Sequence, residues 1–308
     1  MHVAVVVVGF RNPEDVTRCV AALDLSTHKT FEIVVVENGG PEAFAELQRR
    51  LPRQLTGGQA VRVLLADGNL GYGGGVNVGL AATPDADAVW VLNPDTEAEP
   101  EAMAQYVRRL DAGDCDAVGG PIYLPGGLVQ SYGGRWRLPF ARAVSIGFGG
   151  NVDGPVDAAL VEREQNYLNG ASMFLGRRFL HEVGPMEEAY FLYCEEVEWF
   201  LRPAARRMRL GFADGARVLH HAGTTTGSYE GMRSRPKTPI YLAERNRLLL
   251  TRDCAPVWLP VAALAALAQI VVRFGRHRAW AQIGYGLSGW LAGLAGQRGV
   301  PGWLTAKG

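Results

Sequence analysis

Four short stretches carry side chains whose types and spacing could do chemistry. The first is Leu92-Asn93-Pro94-Asp95, which ends an apolar run on a carboxylate. A carboxylate at a strand end can hold a divalent cation across two phosphates, because Mg2+ takes one or two protein carboxylates and fills its shell with phosphate oxygens and water. Read alone, the same residue is equally an ordinary turn or capping aspartate. The second is Asn69-Leu70-Gly71-Tyr72-Gly73-Gly74-Gly75-Val76-Asn77-Val78-Gly79, glycine-rich ahead of a helix, where backbone N–H groups can approach a phosphate. No GK[ST] follows, and the loop is not at the first strand–helix turn, so it is neither a Walker loop nor a dinucleotide fingerprint. The third, Phe191 to Trp199, sets Glu195, Glu196 and Glu198 among aromatics. A carboxylate in an aromatic-lined cleft suits general-base work, its pKa raised by desolvation; glutamates in a first helical turn also suit the helix dipole. The fourth is His220-His221 after the strand-like Ala216–Leu219, where one histidine could complete a metal shell or serve the core.

These stretches need elements to position them. Val3–Val8 is a continuous β-branched run, the pattern of a strand covered on both faces. Asn12 as N-cap and Pro13 at the first helical position predict a helix running to Leu23. Strands are predicted at Phe31–Glu37, Val61–Leu65 and Ala88–Leu92, with helices from Glu42 to Leu51 and Gly73 to Leu80 between them. Such alternation predicts an α/β fold, a mostly parallel central sheet flanked by helices. Ligands of such sheets sit beyond the carboxyl ends of the strands. Those ends read Gly9-Phe10-Arg11-Asn12, Glu37-Asn38-Gly39-Gly40 and Asn93-Pro94-Asp95, three polar turns converging on one edge. Past about residue 120 the chain is irregular and rich in glycine and aromatics, interrupted by a predicted strand at Ser172–Leu175 and a helix from Val197 to Met208.

Composition bounds the class. The chain has 308 residues, 48% hydrophobic and 20% charged, which excludes wholesale disorder. Lys+Arg and Asp+Glu both number 31, so the electrostatic footprint of a dedicated nucleic-acid binder is missing. Cys19, Cys115, Cys194 and Cys254 form no CxxC pair and no zinc spacing, which fits a reducing compartment. The opening MHVAVVVVGF has neither a basic region nor a cleavage site and reads as a first strand, not a signal peptide. Near residue 255 the composition shifts. Ala255–Val272 and Ala279–Gln297 are uncharged and are separated by Arg273, Arg276, His277 and Arg278. Prolines shorten the first stretch and glycines load the second, so interfacial helices with arginines at headgroup level are predicted in preference to spanning ones. The alternative is an Ala-rich helical pair docked on the protein's own core or on a second copy in a homodimer.

Taken in order, these segments resemble family 2 of the inverting glycosyltransferases, the GT-A (nucleotide-diphospho-sugar transferase) fold, and especially its rhamnosyltransferase-like branch. The likeness runs over about residues 3–250. VVVVGFRN resembles the family's opening strand and turn, and Val35-Val36-Glu37-Asn38 its second strand end. Asn69 to Gly79 matches its NxGxxxGxNxG loop, and Leu92–Asp95 the LNPD form of its metal motif. Asn169 to Phe174 is similar to its GA segment, and Phe191 to Arg202 to its FxxYxEDxDxxxR block. His220 falls on its late histidine, and Arg245-Asn246 on its closing RN.

The resemblance implies a donor site, a metal and a base. Phe10, Glu37 and Asn38 would line the pocket for the nucleotide base and ribose, and Asn69, Gly71, Asn77 and Asn93 would contact the nucleotide. Asp95, with His220 as a further ligand, would bind Mg2+ or Mn2+ across the donor diphosphate. Glu196 stands at the position of the catalytic base, with Glu195 as its backup, and Trp199 and Glu198 fall on the acceptor side. The donor implied is a dTDP- or UDP-sugar, and the acceptor a hydroxyl on a glycan or a polyprenyl-linked molecule. Residues 1–120 would form the nucleotide-sugar-binding half, 121–254 the acceptor and catalytic half of the same domain, and 255–308 an apolar helical segment at a membrane surface. That places the protein in the cytoplasm, peripheral at the inner face of the cell membrane. Glu37, Glu196 and Glu198 each stand where the family has Asp, one methylene longer. These departures keep a second reading alive, a non-catalytic nucleotide-sugar-binding or assembly subunit. A nucleotidyltransferase lacks support, because no glycine-rich loop with a lysine follows the first strand.

Overall fold

The computed structural model describes residues 1–222 and 231–305. In chain order the strands are β1 (Val3–Gly9), β2 (Phe31–Glu37), β3 (Val61–Leu65), β4 (Ala88–Leu92), β5 (Thr96–Ala98), β6 (Ala117–Gly119) and β7 (Ile122–Leu124). They continue with β8 (Leu128–Ser131), β9 (Gly133–Arg137), β10 (Arg142–Ile146), β11 (Ser172–Gly176), β12 (Leu210–Phe212) and β13 (Val218–His220). The helices are α1 (Pro13–Asp24), α2 (Pro41–Arg50), α3 (Gly71–Ala81), α4 (Ala102–Asp111), α5 (Ala158–Glu164) and α6 (Arg177–Val183). After them come α7 (Glu195–Leu201), α8 (Lys237–Cys254), α9 (Leu259–Gly275), α10 (Trp280–Leu294) and α11 (Gly302–Thr305).

A seven-stranded sheet runs β12-β6-β11-β4-β1-β2-β3. Its pairs are parallel except those of β11, which lies antiparallel to both β4 and β6. The β-branched run of β1 is buried throughout, as a strand covered on both faces must be. Val3, Val5 and Val7 enter one core with Trp90, Tyr106 and Phe174. Ala4, Val6 and Val8 enter a second core on the other face, with Met173, Trp199 and Leu249. Strands β11 and β12 join this sheet from beyond residue 120, so both halves of the chain share it. A smaller sheet, β5-β13-β7-β8, pairs His220 with Thr96 across its antiparallel β5–β13 ladder.

Two local expectations fail for identifiable reasons. Asn12 does not cap α1: its Oδ1 accepts the N–H of Phe10 (2.9 Å) and shapes the β1–α1 turn instead. The helix expected from Val197 to Met208 ends at Leu201, and a 3₁₀ turn takes Pro203–Arg207. Pro203 has no N–H to give and pushes Arg202 out of the helical region, to ψ 155°.

The two apolar C-terminal helices differ in their surroundings. Helix α10 lies flush on α8 through small residues: a Cβ at Gly289 would stand 2.3 Å from the Tyr241 carbonyl oxygen. Helix α9 leaves Val261, Leu264, Val271 and Val272 on an outer stripe, Leu264 being 69% exposed. By length and composition the segment Pro256–Gly275 is apolar enough to cross a membrane (mean hydropathy 1.9), and 28% of it is buried in the protein.

Candidate active site

Parallel strands β1, β2 and β4 deliver their carboxyl ends to one edge, and the turns there are interlocked. Glu37 is fully buried, and its Oε1 accepts the N–H groups of Arg11 (3.0 Å) and Gly39 (2.6 Å). The extra methylene relative to Asp thus reaches back to the backbone, so Glu37 underpins the β1 and β2 turns instead of lining the pocket wall. Asn38, 3% exposed, donates to the Gly71 carbonyl (2.7 Å) and ties β2 to the glycine-rich segment. Phe10 stands at the surface, 36% exposed, with the Arg11 guanidinium over its ring.

The glycine-rich segment does more than approach a ligand. Asn69 Oδ1 accepts the Gly71 N–H (3.1 Å), a turn that starts α3. Gly71 has φ +74°, and a Cβ there would meet the Phe191 carbonyl oxygen at 2.1 Å. At Gly79 a Cβ would collide with Val6 at 2.3 Å, so this glycine serves close packing of α3 on β1. Asn77, expected at the nucleotide, is committed elsewhere. Its amide brackets Met186, accepting from that N–H and donating to that carbonyl, and also donates to Glu188.

The strand-end carboxylate and the late histidine meet. Asp95 Oδ1 lies 3.2 Å from His220 Nε2, both residues being more than nine-tenths buried. On the other side of the ring, Nδ1 faces Gln130 Oε1 at 2.7 Å. With the hydrogen on Nδ1, toward that oxygen, Nε2 would offer its lone pair to a cation beside the Asp95 carboxylate. Two acceptors aimed at one point are what a cation would complete, and a second-sphere partner on Nδ1 is how a metal-binding histidine is oriented. Among the described residues no group of three or more His, Cys, Asp or Glu side chains is suited to a metal ion. A hard cation held here would draw its other ligands from phosphate oxygens and water, a shell that suits Mg2+ or Mn2+. Asn93 sits at the mouth of this turn, half-buried, its carbonyl accepting from the Thr96 hydroxyl (2.6 Å).

The acidic block is carried on a strained loop. Phe191, Tyr193 and Cys194 have φ +66°, +73° and +70°, a region that non-glycine residues rarely enter. Buried Asn246 holds the loop, its Nδ2 donating to the carbonyls of Tyr190 (2.9 Å), Leu192 (2.8 Å) and Tyr193 (2.8 Å). Arg245 braces Asn246 and spans from the Tyr190 carbonyl (3.0 Å) to that of Gly299 (2.6 Å). On the donor side, the Tyr72 N–H binds the Phe191 carbonyl (2.9 Å). The loop therefore sets the first turn of α7 against the glycine-rich segment.

Glu195 and Glu196 occupy that turn in unlike surroundings. Glu195 is 2% exposed, and burial followed by the neighbouring Glu196 charge pushes its pKa up to about 8. Glu196 is half-buried beside Gly170 and is raised by burial, while the N–H groups of Glu196, Val197 and Cys194 oppose the shift. Tyr72 ties the two ends of the site together. Its hydroxyl donates to the Gly170 carbonyl (2.7 Å), and its pKa is raised by burial and then by Glu195, Glu196 and Asp95. Tyr167 is raised likewise, by burial first and Glu196 next.

Trp199 and Glu198 do not face an acceptor. Trp199 is fully buried, donates to the Gly184 carbonyl (2.8 Å) and packs edge-on against Phe179. Glu198 turns the same way and pairs with Arg202, its Oε1 3.0 Å from Nε. Helical geometry groups them, since Glu195, Glu198 and Trp199 stand three and four positions apart on one buried face, and Glu196 alone between 195 and 200 stays half-buried. Tyr72, Tyr167 and Gln130 were not anticipated. The aromatic inside the glycine-rich segment was the signal for Tyr72, whereas nothing local marks Gln130.

Comparison with known proteins agrees with this geometry. The family "Glycosyl transferase family 2" matches residues 4–182. The N-acetylglucosaminyl-diphospho-decaprenol L-rhamnosyltransferase of Mycobacterium tuberculosis is 25% identical over 307 residues, covering 89% of this chain and 94% of that one. Among solved structures, GalNAc-T7 with UDP, GalNAc and Mn2+ superposes with a TM-score of 0.58 at 16% identity, over 80% of this chain. The chain spans about half the length of that protein, 48%. The mannosyltransferase PcManGT of Pyrobaculum calidifontis, solved with GDP-Man and Mn2+, gives 0.54 at 13% identity, over 95% of this chain and 87% of that one. At such identities the structures speak for the fold, which is GT-A. With the family match spanning more than half of its length, the chain is a nucleotide-sugar-dependent glycosyltransferase and belongs to glycosyl transferase family 2.

Proposed function

We propose that the protein moves a sugar, rhamnose in the first instance, from a nucleoside-diphosphate donor to a hydroxyl of a glycan or polyprenyl-linked acceptor, with inversion at the anomeric carbon. The observation that carries this reading is the cation-suited Asp95–His220 pair, together with a half-buried Glu196 beside Gly170, whose carbonyl takes the Tyr72 hydroxyl of the glycine-rich segment. Asp95 and His220 would hold Mg2+ or Mn2+, which when bound supplies positive charge against the leaving diphosphate. Phe10, Asn69 and Asn93 border the donor, while Glu37 and Asn38 keep its turns in shape. Glu196 takes the proton of the acceptor hydroxyl, and that oxygen attacks the anomeric carbon from the face opposite the departing diphosphate. Burial and the neighbouring Glu196 charge raise Glu195, so the two carboxylates resist ionising together, and Glu196, the half-buried one, is the one placed to act on the acceptor. The loop brace from Asn246 keeps that carboxylate in place, which matters because small displacements of a base are costly.

The surface reading extends this. The apolar stripe of α9 and the neighbouring Arg273, Arg276 and Arg278 suit the headgroup layer of an anionic membrane, with the protein peripheral at its cytoplasmic face. The dimer expectation has no support of its own.

A thermal-shift screen of UDP, dTDP, GDP and their sugars, each with and without Mn2+, tests the donor site. A ligand bound only by the folded state at a hundredfold excess over its Kd adds about 2.7 kcal/mol. A metal-dependent shift for one nucleotide, lost in Asp95→Ala, is the expected result; no shift with any of them overturns the reading. Turnover of that donor, lost in Glu196→Gln, separates the enzyme from a non-catalytic subunit. Sedimentation with phosphatidylglycerol vesicles, reduced by Leu264→Glu, tests the surface.

A further inference from the structure

Arg247 of α8 lies beside two groups that fix its direction. Its Nη1 is 3.2 Å from Glu244 Oε2, one turn earlier on the same helix, and 3.4 Å from Gln269 Oε1 on α9. Arg273 follows Gln269 by one turn, on the same face of α9. Arg235 precedes α8 and is fixed at this corner by Gln282 of α10, which donates to its carbonyl and to that of Arg233. Arg247 and Arg273 therefore both act on the buried carboxylate of Glu244. Arg273 is held below its ordinary pKa by burial, then by Arg235, with Glu244 partly opposing and Arg247 adding to the shift. Glu244 supplies one negative charge against these guanidinium groups, which leaves the corner net positive and suited to an anion.

The cluster adjoins the chemistry. Cys194, which begins the turn carrying Glu195 and Glu196, lies in the field of both Arg247 and Glu244. On its outer side begins the apolar stripe of α9, running from Val272 and Val271 back to Leu264 and Val261. Asn246, the residue before Arg247, holds the loop ahead of Glu195 and Glu196, so the succession runs from apolar stripe to arginines to catalytic turn. A molecule of the order hydrocarbon chain, diphosphate, sugar hydroxyl matches it piece by piece.

We propose that Arg247 and Arg273 form the subsite for the diphosphate of a lipid-linked sugar acceptor. This rests on the glycosyltransferase reading of the Glu196 site. Arg presents a planar fork suited to two phosphate oxygens, and loss of one charge-assisted contact costs roughly tenfold or more in affinity.

The test is calorimetric binding of farnesyl diphosphate to the full chain in metal-free buffer, without membranes. Farnesol and inorganic pyrophosphate serve as charge-free and tail-free controls. Farnesyl diphosphate is expected to bind more tightly than either control. Arg247→Gln and Arg273→Gln should each weaken it roughly tenfold or more, Arg273→Lys less so, and Asp95→Ala not at all. Thermal midpoints of the variants guard against loss of fold, and Arg276→Gln, outside the cluster, is a second control expected to change nothing. Binding that ignores the cluster variants, or that is lost in Asp95→Ala, overturns the proposal. So does arginine-dependent binding of phosphatidylglycerol vesicles without binding of farnesyl diphosphate, which would make the cluster a general contact for lipid headgroups. The nucleotide thermal shift is a separate measurement, so failure of the donor reading and failure of this subsite are told apart.

Discussion

At the donor edge, Glu37, Asn38 and Asp95 are fixed by groups on neighbouring strands and turns: Arg11, Gly39, Gly71 and His220. The loop from Tyr190 to Cys194 is fixed from afar, by Arg245 and Asn246 more than fifty residues downstream and, through Arg245, by Gly299. The first region, built into a parallel sheet, has one non-glycine residue at positive φ, Arg11 at +56°. The second carries three non-glycine residues at positive φ, a conformation that persists only where surrounding bonds over-determine it. The proposed donor pocket is thus a property of the sheet, whereas placement of the proposed base is a property of the helices packed behind it.

Four substitutions sharpen or break this contrast. The largest effect is expected from Glu196→Gln, which removes the base: transfer falls by roughly 10²–10⁴-fold while the nucleotide thermal shift is retained. Loss of both together in a folded variant would mean that the two regions are not separable.

Glu195 gives the next largest effect, on stability against pH. Its folded pKa, about 8, lies above the ordinary 4.5, so the folded state holds the proton more tightly. The resulting stabilisation is complete below pH 4.5 and is lost as pH rises through 8, by an amount on the order of a few kcal/mol. Denaturant titrations from pH 5 to 9 should show this decline, and Glu195→Gln should flatten it. A wild-type stability that rises over that interval would contradict the burial of Glu195.

Asp95→Asn should weaken nucleotide binding in Mn2+ roughly tenfold or more and leave metal-free binding unchanged, as read by calorimetry. Gly71→Ala acts where the two regions touch. With φ +74° and the Phe191 oxygen in the way, it should cost about 1–3 kcal/mol in thermal stability and impair both nucleotide binding and transfer. A variant that loses only one of them would show that the contact between α3 and the loop is not shared.

How much of this was legible in the sequence follows from the same contrast. Strand β2 and the end of β4 could be read from β-branched runs closed by Asn, Asp and Gly, because those signals are local. The sheet's antiparallel strand β11 was visible as a strand, but its direction was not, since direction is set by a long connection. Asp95 and His220 meet only because the β5–β13 ladder pairs Thr96 with His220, a register no local pattern encodes. Trp199 and Glu198 misled for a physical reason: carboxylates mixed with aromatics look like a cleft, whereas α7 is buried nearly all round and leaves only Glu196 and Leu201 half-buried. Glu37 misled in the opposite sense, since its added methylene is spent on two backbone N–H groups. Helix α10 read as membrane-like because glycine-rich helices that pack backbone to backbone share the composition of interfacial ones.

Gly299 also has a consequence in time. Ribosomes deliver the strands and turns of the donor pocket, with Asp95, well before His220 completes the Asp95 pair and much earlier still than the carbonyl that secures Arg245. A chain cut short before that carbonyl would keep Asp95 and His220 but lose the tie from Arg245, so the proposed base would be the part of the site whose placement waits for the end of synthesis.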